Sequence, residues 1–300
     1  MNNFLLLLVT IVWGSTFFII KDTVGTVNEY FIVFGRMLLA AIPMLLFVLF
    51  KNKKSLVTTK AIVNGSILGF LLTATYLSQT IGLKYTSSGH SAFITGAAVI
   101  IVPIILFALY KAKFQKSDLF SILVVVFGLF LLTYDFDTKF NQGDIITLFT
   151  AFTAAFHIVL SGRYVRKTET LSLITYQFIS GSVFSFIGLL LMDSNIGVLS
   201  SESFAAIVYL GIFGTLFCYF VSVWVQKYVS SVKVALIFSL EPVFGALFGY
   251  LALHESLNSK EAIGMFLILL GVVLYQILTS ENENSTAVTQ KKQRFMPQNK

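Results

Sequence analysis

The sequence predicts an all-α polytopic membrane protein, with ten transmembrane helices arranged as two inverted five-helix repeats. Three observations carry that prediction. Apolar residues make up 56% of the 300 and charged residues only 12%. The apolar residues gather into ten runs, most of them near the ~20 residues that cross a bilayer as a helix. An eleven-residue stretch also occurs twice, as KYTSSGHSAFI from Lys84 to Ile94 and KYVSSVKVALI from Lys227 to Ile237, at an offset of 143 residues. A soluble chain of this length would show alternating polar faces, whereas here the polar residues cluster between apolar stretches.

The first run, residues 3 to 20, has no basic stretch before it, and Lys21-Asp22 follow where a cleavage pattern would stand, so it reads as a span and not a secretory signal. The second, 30 to 50, holds Pro43 and Arg36, the only Lys or Arg well inside a span. The third, 61 to 82, carries Tyr76 and Gln79, and the fourth, 88 to 110, carries Thr95 and Pro103. With the short fifth run at 118 to 134, these form a first repeat over 1–135. The sixth run, 143 to 162, contains His157, and the seventh covers 171 to 191. The eighth, 204 to 226, contains Cys218, a packing residue, and Tyr219. The ninth, 231 to 253, contains Glu241-Pro242, and the tenth, 260 to 279, closes a second repeat over 136–279. Residues 280–300 begin Glu-Asn-Glu-Asn-Ser-Thr and read as a disordered tail.

Charge sets the orientation. The loops after spans 2, 4, 6 and 8, together with the tail, hold sixteen Lys and Arg, against four in the opposite loops: Lys21, Lys84, Lys139 and Lys260. Positive residues are retained on the cytoplasmic side, so both termini are expected there. Five spans per repeat is an odd number, which makes the second repeat enter from the opposite face. The two Lys-Tyr-x-Ser-Ser turns then lie on opposite sides, each able to cap a following helix with its serines. Continuing the offset pairs Tyr76 with Tyr219, Asp118 with Glu261 and Gly128 with Gly271. The net charge of +7 follows from the loop asymmetry and suits anionic lipid headgroups, so no nucleic-acid partner is called for.

Glu241 stands about ten residues from either end of its run, near the bilayer midplane, where a carboxylate must face protein or water. Ligand or proton binding competes with a hydrogen bond bracing the break at Pro242. Pro103 and Pro242 each remove a helical hydrogen bond, which makes them candidate break or gating positions. Arg36 is expected to snorkel outward along its stem, the alternatives being a salt bridge to Glu29 or a gate contact. His157 is read first as a satisfied packing residue and second as a titrating one. Trp13 lies too deep for an interfacial belt and has Gly14, Ser15 and Thr16 beside it, which suits close packing or a cavity wall. Trp13, Tyr76, Gln79, Thr95, His157, Tyr219 and Glu241 are therefore the candidate cavity residues. No His-Glu-x-x-His, paired acids or metal-ligand cluster is present in the sequence, so neither a catalytic site, a metal nor a cofactor is expected.

These residues resemble the ten-helix EamA-type branch of the drug/metabolite transporter superfamily. The resemblance covers essentially residues 1–279 and rests on Trp13-Gly14-Ser15, Arg36, the stretch running to Val102-Pro103, and above all SLEPVFG from Ser239 to Gly245 followed by Glu255. It implies a bacterial plasma-membrane transporter that exports amino acids, related metabolites or drugs through a central cavity lined by spans 1, 3, 4, 6, 8 and 9. The implied partners are a small-molecule substrate, the bilayer and, through Glu241, coupling protons. Two departures stand out: Ala155-Phe156-His157 where such proteins often have Trp-Ala, and His254 before Glu255 where glycine is common. The absence of a Lys or Arg cluster at depth disfavours phosphorylated cargo. A channel, a receptor-like bundle and, further off, an intramembrane enzyme are the competing classes.

Overall fold

A computed structural model describes residues 1–51, 58–133, 141–192, 196–253 and 258–294. Ten helices in it are long and apolar enough to cross a membrane. Seven are continuous: α1 (Asn2–Thr23), α2 (Glu29–Lys51), α3 (Thr59–Tyr85), α6 (Lys116–Thr133), α7 (Gln142–Tyr164), α8 (Thr170–Met192) and α13 (Ser259–Arg294). The other three are interrupted. The fourth span is α4 (Ser88–Gly96) followed by α5 (Ala98–Tyr110), and the ninth is α11 (Ser231–Phe238) followed by α12 (Glu241–Leu253). The eighth passes from α9 (Ser201–Gly211) through a π-helical turn at Ile212–Phe217 into α10 (Cys218–Val225).

Short polar side chains start these helices by accepting hydrogen bonds from otherwise free N–H groups. Ser87 accepts from the His90 amide and Ser230 from the Lys233 amide, so the two repeated turns cap α4 and α11 in the same way. Ser88 and Ser231 become the first helical residues. Asn141 and Asp144 form a reciprocal capping box at the start of α7. The first span, marginal as an apolar run, gains a turn because the Lys21 ammonium donates to the Leu83 and Thr86 carbonyls at the end of α3, at 2.6 and 2.8 Å. α13 continues to Arg294, since Glu, Gln and Lys favour helix and no proline intervenes before Pro297.

The offset of 143 recurs in the element boundaries. It carries the starts of α4, α5 and α6 onto those of α11, α12 and α13 without remainder. Packing repeats as well: α1 lies on α11 and α12 as α7 lies on α4 and α5, while α4 meets α12 and α5 meets α11. α6 and α13 pair most intimately. A Cβ at Gly128 would lie 2.8 Å from both the Gly264 carbonyl oxygen and the Ile268 nitrogen, so only glycine allows that approach. Phe4, Phe70, Phe107, Phe127, Phe149 and Phe266 point outward, as lipid-facing side chains do. The repeat boundary expected at 135/136 falls outside the described residues, as do His254 and Glu255.

Candidate functional site

A cavity lies where the three interrupted spans meet α1, α2, α3 and α7. It holds about 70 Å³ for the centres of water-sized molecules, room for several waters. Trp13, Tyr76, Gln79, Thr95, His157, Tyr219 and Glu241 all line it. Spans 1, 3, 4, 6, 8 and 9 therefore all contribute, and the second span adds Arg36.

The two broken spans place the cavity's ends of helix. In the ninth, the Ser239 hydroxyl turns back to donate to the Leu236 carbonyl at 2.6 Å. α11 stops at this turn; Pro242 has no N–H for the Phe238 carbonyl, but it sits in the first turn of α12, where the missing donor costs little. Glu241 opens α12 and borders the cavity. Its carboxylate has no hydrogen bond or ion pair with a described residue. The bracing bond weighed from the sequence is not found among the described residues.

The fourth span breaks at Gly96–Ala97, six residues before Pro103. Pro103 sits inside α5 and outside the cavity lining, which corrects its assignment as the break. Proline withdraws the hydrogen bond to the carbonyl four residues earlier, here Val99, which already lies inside α5. Thr95, just before the break, has a buried hydroxyl with no partner.

The π-helical turn escaped sequence reading, and it organises the polar side of the site. Such turns release backbone carbonyls from the helical ladder. The Gly214 carbonyl accepts from Trp13 Nε1 at 2.9 Å and from the Tyr76 hydroxyl at 3.0 Å. The Thr215 hydroxyl donates to the Leu210 carbonyl at 2.8 Å and accepts from Arg36 Nε at 2.9 Å. Arg36 does not snorkel. It is 1% exposed, and its guanidinium lies 3.5 Å from the centre of the Tyr76 ring. The sequence-based expectation failed because it weighed the length of the stem without knowing that a π turn and an aromatic face waited inside. Glu29, the suggested partner, pairs with Lys84 at 3.2 Å.

Aromatic rings form the remaining wall. Tyr219 has its centre 5.2 Å from Trp13, 5.7 Å from its repeat partner Tyr76 and 5.1 Å from His157. Phe238 meets Trp13 edge-on at 4.8 Å. His157 Nε2 lies 3.1 Å from Gln177 Oε1, as the packing reading required, while its ring still faces the cavity. Gly14 lets α1 lie against the start of α12: a Cβ there would stand 2.7 Å from Phe244 Cβ and 3.0 Å from the Glu241 carbonyl oxygen.

Polar contacts join the helices near both repeated turns. Toward the Ser87 turn, the Thr86 hydroxyl donates to Asp144, which also lies 3.5 Å from His90 Nδ1. Toward the Ser230 turn, the Ser161 hydroxyl donates to Gln226 Oε1 at 2.7 Å. Arg166 donates to the carbonyls of Gln226 and Val229, the residues at the 143 offset from the Leu83 and Thr86 that hold Lys21. Beyond that end opens a recess of about 450 Å³ lined by Arg163, Arg166 and Lys167. No group of three or more His, Cys, Asp or Glu able to hold a metal occurs among the described residues.

Ten spans around a central cavity that mixes aromatic walls with a few polar groups define a multi-pass membrane protein of the transporter class. Residues 1–134 and 141–276 match the EamA-like transporter family, and the chain belongs to that family. It is 29% identical to an uncharacterized transporter of Archaeoglobus fulgidus, over 91% of this chain and 84% of that one. It is 24% identical to the uncharacterized inner membrane transporter YedA of Escherichia coli, over 88% and 87%. The uncharacterized transporter YoaV of Bacillus subtilis is 22% identical, over 89% and 93%. A crystal structure of a protein 15% identical in sequence shares the fold, with a TM-score of 0.78 over 94% of this chain and 98% of that one.

Proposed function

We propose that the chain is a secondary transporter, and not an enzyme, that exports amino acids, related small metabolites or drugs across a bacterial plasma membrane by alternating access. One observation carries this reading: two helix breaks at equivalent positions of the repeat face a single cavity, and one of them bears the unpaired Glu241. Interrupted helices at a repeat interface are where transporters of this architecture place their cargo. With both termini cytoplasmic, the five-span repeats are inverted. Exchange of the two repeats' conformations then opens the cavity to one face and closes it to the other.

In this scheme Glu241 binds a positive group of the cargo or carries a coupling proton. Trp13, Tyr76, Gln79, Thr95, His157 and Tyr219 line the binding pocket, and the layers at Thr86–Asp144 and Ser161–Gln226 act as alternate closures. Substrate counterflow in proteoliposomes tests the reading, with the amino acids, nucleosides, polyamines and cationic drugs offered in turn. Saturable exchange of an unmodified solute is expected. Flux without exchange would make the protein a channel, and a chemically altered solute would make it an enzyme.

A further inference from the structure

Arg36 and Glu241 line the same small cavity and are not paired with each other, nor with any other charged residue described. Arg36 is the more unusual of the two. Its Nε is satisfied by Thr215 and one face of its guanidinium is covered by Tyr76, yet Nη1 is buried and has no hydrogen-bond partner among the described residues. A buried donor left unmet on a charged group is costly, and native structures retain such groups where a ligand, ion or second conformation supplies the acceptor. No backbone carbonyl does so here, although the π turn beside it frees one, because Gly214 is engaged by Trp13 and Tyr76.

We infer that Arg36 is the carboxylate-recognising residue of the cargo site, so that the transported solute carries a carboxylate held at the free Nη1 edge. This rests on the transporter reading and names the chemistry of the same cavity. A planar monoanion fits that edge, since guanidinium donors match the two oxygens of a carboxylate in geometry. A dianion fits worse: Arg36 is the only Lys or Arg lining the cavity, and Glu241 opposes a second negative charge. Nη1 is buried, so on the alternating-access reading the carboxylate reaches it as the cavity opens. A solute with a carboxylate for Arg36 and an ammonium for Glu241 neutralises both charges at once, and α-amino acids are the simplest molecules of that kind.

The test uses the full chain in detergent, with thermal unfolding read against the proteinogenic amino acids at millimolar concentration. Each acid that stabilises the protein is compared with its decarboxylated amine and its deaminated acid. At least one amino acid is expected to raise the midpoint, and its amine to bind roughly 10- to 100-fold more weakly. Arg36→Lys keeps the charge and loses the fork, and is expected to weaken the amino acid and leave the amine unchanged. The wild-type comparison stands even if the variant fails to fold. Stabilisation by amines equal to that by the acids, an unaltered affinity in a folded Arg36→Lys, or no stabilisation by any carboxylate would overturn the assignment. Counterflow separates the two claims. Saturable exchange of amines unaffected by Arg36→Lys would leave the transporter reading standing and remove the carboxylate site. Carboxylates that bind through Arg36 with no exchange would do the reverse.

Discussion

At the first break, Ala97 alone separates α4 from α5, Ala98 opens α5, and α7 packs across the break with His157 facing the cavity. At the second, Ser239 and Leu240 separate α11 from α12, Glu241 opens α12, and α1 packs across it with Gly14. The offset pairs Ala98 with Glu241 and His157 with Gly14. Each break thus combines one small and one polar residue, with the polar one supplied by opposite members of the pair. The backbone arrangement is shared by the halves, while the groups it presents are not. On the proposed mechanism, the shared part supplies the exchange of conformations and the unshared part supplies cargo selection.

Glu241→Gln should have the largest effect, because it removes the charge that distinguishes the second break. Proton-dependent or cation transport in proteoliposomes is expected to fall roughly 10- to 100-fold, with the protein still monodisperse. Wild-type kinetics across pH in this variant would assign Glu241 a structural role. Gly14→Val tests the steric half of the same break. Its added atoms collide with Phe244 Cβ and the Gly245 nitrogen, so thermal unfolding should show a loss of about 1–3 kcal/mol. If stability is unchanged, the close approach of α1 and α12 is not as described.

At the first break, His157→Phe keeps the ring and strands Gln177, whose amide nitrogen already lacks a partner. A cost of about 1–2 kcal/mol is expected in thermal or denaturant unfolding. The smallest change belongs to Pro242→Ala. In the first turn of α12 the restored N–H adds little, and a shift below about 1 kcal/mol is predicted. A larger shift would mean that proline itself, and not the preceding Ser239 turn, holds the second break.

Much of this was legible in the chain. The spans could be read because transferring an apolar run into lipid depends on the run alone. The repeat could be read because Ser87 and Ser230 cap by local geometry. Trp13, Gln79 and Thr95 stood out as polar or amphipathic groups too deep for an interface, and they do face one cavity. Arg36 turns inward against expectation, since a long stem seven residues from Glu29 leaves inward and outward rotamers equally open until the tertiary contacts are formed. Pro103 does not mark the break, because the helix ends where Gly96 and the packing of α7 permit, and a proline about two turns later does not decide that. Gly214 and Thr215 gave no signal beyond two small residues in an apolar run.

The sequence by itself determined the membrane class, the ten spans, the doubled frame and the depth of Glu241, because each follows from local hydrophobicity or from spacing along one helix. Only the tertiary structure decided that Arg36 turns inward, that the eighth span loosens into a π turn, and that Glu241 stands unpaired. Those outcomes depend on which distant carbonyls, rings and charges are brought within hydrogen-bonding reach, and residues as far apart as Trp13 and Gly214 share no local pattern that could announce their contact.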